Sequence, residues 1–438
     1  MIRKFQSIVS RGVANKYAKN TGWMFVEQGV RAAAGLIVGA YVARYLGPSQ
    51  FGLISYALAI SSIFLGLSRL GMDSILVREL VNNPKHTSKI MGTAFTMMIL
   101  ASVTSFIGLI MVLLVTNTNP QILLLIAISM VSTLFQAFLV IDYYFQANIQ
   151  AKISSIAKSG AVILTAVFKV YLVMCNASLI YFIWAYTLDS IVVSAVLLSI
   201  YIRKKEPLFV MSFDRQWVKS LFTSSLPMII SVVTTILLMR LDQLMIKNML
   251  GDKELGIYSA ATRLYEGWIT LSWVFVISLL PIILKFKQEN ELKYQKNMIR
   301  LFAFVFWIAI VAAVVSGITG KWIIELTFGF AYSGASKCLT ILMAGSAFAA
   351  VGNVTARYFN VEKMEKKIPI RIVVALLLNT LLNIILIPIF GIEGSAMATS
   401  ICLICAHVLI DYTDPELKVL RKMKRLAIFN PISYSLTK

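Results

Sequence analysis

Apolar stretches long enough to cross a lipid bilayer recur along almost the whole chain, and they leave few folds open to it. A span takes about 20 apolar residues. Hydropathy gives twelve such stretches, at residues 21–46, 51–72, 90–115, 121–145, 155–175, 178–202, 221–248, 255–284, 298–319, 335–356, 368–390 and 392–412. Soluble helices of this length would carry a continuous polar face, and these do not. With 58% hydrophobic residues, 14% charged residues and a mean hydropathy of +0.80, the composition lies outside the range of soluble globular domains. The expectation is an all-α, polytopic membrane protein of about twelve transmembrane helices.

A formal charge of +21 would point a soluble protein toward nucleic acid. Here the distribution excludes that partner, because the basic residues fall in every second segment between apolar runs. One set holds Arg3, Lys4, Arg11, Lys16 and Lys19; Arg78, Lys85 and Lys89; Lys152 and Lys158; Arg203, Lys204, Lys205, Arg215 and Lys219. It continues with Lys285, Lys287, Lys293, Lys296 and Arg300; Arg357, Lys363, Lys366, Lys367 and Arg371; and a tail containing Lys418, Arg421, Lys422, Lys424 and Arg425. The opposite set holds only Lys253, Lys321 and Lys337. The positive-inside rule therefore predicts that both termini are cytoplasmic. The basic loops and tail are expected on the anionic inner leaflet, with a solvated tail as the alternative. The first twenty residues are basic and lack an apolar core and a small-residue cleavage site, so they do not read as a signal peptide, and the first helix is expected to stay as an anchor. The outer turns are short, with Gly320–Gly334 the longest, which leaves no external domain for chemistry.

Two internal echoes suggest duplication. Leu46-Gly47-Pro48-Ser49-Gln50-Phe51-Gly52 matches Leu250-Gly251-Asp252-Lys253-Glu254-Leu255-Gly256 at an offset of 204. Tyr144-Phe145-Gln146-Ala147, then Lys152, matches Tyr358-Phe359-Asn360-Val361, then Lys366, at an offset of 214. Transporters are often built from such repeats, although a tight turn between membrane helices would look similar. The expected division is an N-terminal lobe at 1–205, a linker at 206–219 with an amphipathic Phe213–Lys219 segment, and a C-terminal lobe at 220–438 with the basic tail.

Charges inside the spans are costly and usually face a bundle interior or a cavity. Arg240 and Arg263 each lie eight positions from the ends of the helices that meet at Gly251, or ~12 Å at 1.5 Å per residue. Arg44, Arg69 and Lys247 lie near helix ends and are expected to snorkel. Arg31 can pair with Glu27 one turn earlier, Lys169 with Asp189, and Arg263 with Glu266. Arg240 and Asp242 point to opposite sides of one helix and need other partners. Arg31, Lys169, Arg240 and Arg263 together would suit an anionic substrate, because a guanidinium stays charged and grips phosphate bidentately; interhelical salt bridging is the alternative. Asp242 can serve as the group through which a proton or Na+ gradient drives transport, and a structural counter-ion explains it equally well. No Ser/His/Asp set is present, His86 and His407 are isolated, and Cys175, Cys338, Cys402 and Cys405 offer no disulfide framework. Cys402 and Cys405 imitate a redox motif inside an apolar helix, where packing is their expected role. No catalytic residue, metal or cofactor is expected.

The segments Arg44–Gly52, Arg240–Ile246, Leu250–Ala261, Asn379-Thr-Leu-Leu-Asn383 with Pro388, and Gly391–Ala396 resemble the polysaccharide transporters of the multidrug/oligosaccharidyl-lipid/polysaccharide exporter superfamily. That family includes O-antigen repeat-unit flippases. The resemblance implies two pseudo-symmetric six-helix lobes in a V around a central cavity. It further implies flipping of undecaprenyl-diphosphate-linked oligosaccharide across the bacterial inner membrane, for O-antigen or capsule assembly and in association with a polymerase. On that likeness Arg31, Arg240, Arg263 and Lys169 would receive the diphosphate, with Glu27, Asp189 and Glu266 as counter-charges. The competing readings are a multidrug exporter of the same fold and a membrane-embedded polysaccharide polymerase or transferase.

Overall fold

The structure, a computed structural model, describes residues 2–116, 118–204 and 212–429. Lys205, Pro207 and the rest of the expected linker as far as residue 211 lie outside the described residues, as do the side chains of Arg3, Lys4, Arg11, Lys16 and Lys19. The described residues hold fourteen α-helices and no strand. They are α1 (Ile2–Ser68), α2 (Met72–Asn82), α3 (Thr87–Val115), α4 (Pro120–Phe135), α5 (Leu139–Ala147), α6 (Ala151–Met174), α7 (Leu179–Arg203), α8 (Arg215–Leu250), α9 (Asp252–Ser278), α10 (Leu280–Glu289), α11 (Glu291–Thr327), α12 (Ala335–Val361), α13 (Lys367–His407) and α14 (Lys418–Phe429).

Nine helical segments among the described residues are long and apolar enough to span a membrane. Two of them, Gly22–Asn82 and Lys367–Thr413, each contain two of the expected stretches, broken at Gly47 and Gly391. The stretch expected at 255–284 becomes α9 and α10 and is not among the nine, because Arg263 and Glu266 interrupt its apolar run. Helix starts follow local chemistry: Pro120 opens α4 while the Asn119 side chain accepts the Gln121 N–H at 2.9 Å, and Asn290 caps α11 through the Leu292 N–H at 2.8 Å. Such caps satisfy donors that the helix itself leaves open.

The chain forms two compact units, one of Met1–Val42 with Ala57–Ile236 and the other of Ala43–Tyr56 with Leu237–Lys438. This partition differs from lobes ending at 205 and beginning at 220. The expected linker also stops early. α8 starts at Arg215, and Asp214 ties that start to α3 through Lys89 at 3.0 Å and through the Thr93 hydroxyl, which accepts the Asp214 N–H at 3.0 Å. His86, read as isolated, lies against the Trp217 ring at 6.0 Å.

In the first unit Met72, Leu76, Met91, Met98, Ile141 and Phe145 form part of one apolar core. In the second, Met298, Phe302, Val351, Val354 and Phe359 are joined by Leu420, Met423 and Ala427 of α14. Their spacing puts one face of α14 inside and leaves Lys418, Lys422 and Arg425 exposed.

The first echo is a structural repeat inside the second unit. Gly47 and Gly251 have φ of 72° and 96° with ψ of 169° and −174°, a conformation open to glycine and strained for other residues. Gly52 and Gly256 then pack reciprocally: a Cβ on Gly52 would lie 1.9 Å from the Asp252 carbonyl oxygen, and one on Gly256 would lie 1.9 Å from that of Pro48. Pro48 and Asp252 are themselves equivalent at the offset of 204, so the contact has local two-fold character. The second echo behaves alike, since Ile149 and Lys363, two residues after the helix ends, both take positive φ, 55° and 57°.

Several basic residues read as loop or tail charges are buried. Lys158 sits within α6. Arg371 and Lys424 flank Asp411, Lys424 at 2.7 Å, and the Lys424 ammonium also donates to the His407 carbonyl at 2.6 Å. The reason is pairing across helices: Glu27 and Asp142 draw in Lys158, and Asp411 draws in Arg371 and Lys424. α11 runs to Thr327, so the outer turn expected at Gly320–Gly334 is shorter than predicted. Cys402 is buried, and its thiol donates to the Ala375 carbonyl at 3.1 Å, the packing role expected of it.

Candidate functional site

Hydroxyl side chains spaced three or four residues apart bring a polar stripe to one cavity of about 300 Å³ in the first unit. Ser61 and Ser62 come from α1, Ser129 and Ser132 from α4, and Thr187, Ser190 and Ser194 from α7. Buried hydroxyls need partners, and the helices supply them. Ser132 donates to the Ser129 carbonyl at 2.6 Å, Ser194 to that of Phe135 at 2.8 Å, and Ser61 and Ser129 bond each other. A hydroxyl that donates to a carbonyl keeps acceptor lone pairs, so the wall remains polar. The cavity volume is at the lower end of the range for small-molecule sites.

Arg31, Arg69, Lys158 and Asp189 also line this cavity. Lys158 bridges Glu27 at 2.9 Å and Asp142 at 2.8 Å. Glu27 is thereby engaged mainly by Lys158, and Arg31, half-exposed, reaches it only at 3.7 Å. Lys169 pairs with Asp189 Oδ2 at 2.7 Å and lies 4.3 Å above the Tyr186 ring. Arg69 differs from these. Its Nε and a terminal nitrogen donate to Gln136 Oε1 at 2.9 and 2.8 Å, and it makes no ion pair among the described residues. A guanidinium held by a neutral amide keeps its full charge and further donors for an anion.

The second unit holds the remaining residues singled out from sequence. Arg240 forks onto Glu266, at 2.6 and 3.4 Å, and Arg263 lies over the Phe51 ring at 4.8 Å. The hairpin of α8 and α9 thus brings Glu266 beside Arg240, a partner that the i, i+3 spacing of Arg263 and Glu266 does not suggest. Asp242 is buried and accepts from the Tyr258 hydroxyl at 2.5 Å and the Gln243 N–H at 2.7 Å. Lys247 pairs with Asp252 at 2.5 Å. A smaller cavity of about 100 Å³ is mostly apolar, and its one arginine, Arg371, is already engaged by Asp411. Among the described residues no cluster of three His, Cys, Asp or Glu could hold a metal.

Arg31, Lys169 and Asp189 thus belong to one unit, and Arg240, Asp242, Arg263 and Glu266 to the other. Sequence reasoning passed over Arg69, read as a snorkelling end charge, and Lys158, read as a loop residue. It also passed over Gln136 and the serines. A signal was present in the i, i+3 and i, i+4 spacing of Ser129 with Ser132 and Ser190 with Ser194, which marks a polar face on otherwise apolar helices.

The family model described as polysaccharide biosynthesis protein matches residues 17–287, more than half of the chain. No curated protein sequence matches it. Among solved structures, the inward closed conformation of the lipid II flippase MurJ superposes with a TM-score of 0.69 at 18% identity, covering 94% of this chain and 91% of that one. The inward-facing conformation of a multidrug resistance MATE family transporter of the MOP superfamily gives 0.66 at 14% identity, with 93% and 96% covered. The bent form of the Vibrio cholerae MATE transporter VcmN gives 0.59 at 12%, with 94% and 99% covered. At these identities the likenesses show a shared fold, while the family match extends through the cavity of the first unit; the chain belongs to the polysaccharide biosynthesis protein family.

Proposed function

We propose that this protein flips a lipid-linked oligosaccharide across the membrane, with the diphosphate held at Arg31 and Arg69. The observation that carries the reading is Arg69, a cavity-lining guanidinium bound to a neutral partner in a family of polysaccharide biosynthesis. Arg240 already has an anion in Glu266 and Arg263 an aromatic face, so in this reading they hold the second unit together. The carrier lipid would be undecaprenyl diphosphate and the cargo an O-antigen or capsule repeat unit. Transport would run from the cytoplasmic to the outer leaflet of the inner membrane by alternating access, with a polymerase as receiver. Asp242, buried and held by two donors, is the group proposed to couple a proton or Na+ gradient. The exposed cations of α14 would rest on anionic lipid.

Translocation of a lipid-diphosphate oligosaccharide in proteoliposomes tests the reading at matched folded protein. Arg69→Ala should lower transport at least tenfold, the order of one charge-assisted hydrogen bond, and Arg69→Lys should restore part of it. Asp242→Asn should bind the lipid and lose its response to the gradient. Full transport by Arg69→Ala would remove the diphosphate site from the account. Several structural neighbours are multidrug transporters, and efflux of a quaternary ammonium dye in place of lipid would favour that alternative. Polymerisation or sugar transfer by the purified protein would favour the enzymatic one.

A further inference from the structure

Four charged side chains of the first unit form a chain that ends at the cavity, and the role inferred for it rests on the flippase reading. Asp142 accepts from the Gln146 amide at 3.1 Å and from Lys158 at 2.8 Å. Lys158 also reaches Glu27 at 2.9 Å, and Glu27 reaches Arg31 at 3.7 Å. Glu27 and Asp142 are buried, whereas Lys158 and Arg31 line the cavity together with Arg69. The two contacts of Glu27 are unequal. Its Oε2 is held at hydrogen-bond distance by a mostly buried ammonium, while its Oε1 faces a guanidinium that is 47% exposed and stands beyond that distance. Attraction between charges falls with distance and with access of water, so Lys158 takes most of the pull that Glu27 would otherwise exert on Arg31.

We propose that Lys158 is a positioning residue that keeps Arg31 available to the diphosphate by occupying Glu27. Glu266 shows the opposite case: it takes the Arg240 guanidinium in a fork at 2.6 and 3.4 Å. Glu27 stands one helical turn from Arg31, a spacing at which the two would close on each other, and with Lys158 in place they do not. Asp142 completes the arrangement. An ammonium carries three donors, and with Glu27 and Asp142 on two of them Lys158 is anchored between α1 and α5. When Arg31 turns to a diphosphate, Lys158 still serves both carboxylates, so neither becomes the uncompensated buried charge that makes breaking such pairs costly. Arg69 needs no equivalent, because its support, Gln136, is neutral. The cavity then offers the two phosphates one guanidinium held by an amide and one released by a lysine.

The test measures binding of farnesyl diphosphate to the full-length protein in nanodiscs, at matched folded protein. Arg31→Ala and Lys158→Met should each weaken binding about tenfold, the order of one charge-assisted hydrogen bond. Combined, they should bind no more weakly than Arg31→Ala alone, because Lys158 acts only through Arg31. Lys158→Met combined with Glu27→Gln should return to within about twofold of the wild type, since no carboxylate is left to capture Arg31. Glu27→Gln by itself is isosteric and leaves Lys158 its bond to Asp142. It should bind at least as tightly as the wild type, and it decides the matter if Lys158→Met does not fold. Losses that add in the Arg31→Ala and Lys158→Met combination would make Lys158 a direct phosphate ligand. Weaker binding by Glu27→Gln would make Glu27 the support that aims Arg31. Either result overturns the proposal, as does wild-type affinity in Lys158→Met or a failure of Glu27→Gln to rescue it. The flippase reading fails on a different outcome, which removes this proposal with it: the wild type neither binds farnesyl diphosphate nor moves a lipid-diphosphate oligosaccharide.

Discussion

Gly52 and Gly256 show how much a single position can demand. Each receives a carbonyl oxygen where a side chain would begin, so alanine at either one forces backbone apart. Overpacking of this kind costs about 1–3 kcal/mol or more. Gly52→Ala and Gly256→Ala should lower the melting temperature in detergent by similar amounts, because their contacts are reciprocal. Gly108→Ala, whose new methyl meets nothing within 4 Å, should leave it unchanged or raise it slightly through helix propensity. A wild-type melting temperature for Gly52→Ala would mean that the two turns do not pack as described. Charge obeys the same local accounting: Arg240, Lys158 and Lys169 are each answered by a carboxylate at 2.9 Å or less, while Arg69 is answered by an amide.

At the scale of elements, two helix starts depend on half-buried carboxylates. Lys89, first, and then the Gln216 N–H hold Asp214 below the usual carboxylate range. Lys367, first, and the Glu416 N–H do the same for Asp414 ahead of α14. A carboxylate whose folded pKa is depressed binds fewer protons folded than unfolded. Its contribution is complete above the ordinary value near 3.8 and is lost as pH falls through the lower, folded value. Amide exchange at Gln216 and Glu416, corrected for intrinsic rate, should therefore accelerate on acidification from about pH 5 to about pH 3. Asp214→Asn should produce the faster exchange at Gln216 already at the higher pH, and a rate there that ignores both pH and substitution would show that this cap does not hold the helix. α14 illustrates a second dependence, since its buried face joins the core of α11 and α12 and only its outer cations remain to meet a lipid surface.

For the whole molecule, the distribution of lysine and arginine predicts that residues 321 and 337 lie on the face opposite both termini. In intact cells, cysteines placed at these two positions should react with a membrane-impermeant maleimide, and cysteines in the 285–300 segment should be protected; the reverse pattern would invert the topology. What the sequence determined alone was the all-helical membrane class, the glycine turns and the repeated motifs. Hydropathy, turn conformation and internal similarity are properties of contiguous residues, so the equivalence of Gly47 and Gly251 is already visible along the linear chain. The tertiary structure decided which charges are answered. Arg69 and Lys158 were misjudged, and the Arg240–Glu266 pair was not foreseen, because an ion pair depends on which helix faces lie side by side. The serine-lined cavity emerges only when α1, α4 and α7 are packed together. That packing leaves Arg69 on a neutral glutamine, and the approach of α6 to α1 gives Glu27 to Lys158; no spacing along a single helix could have shown either.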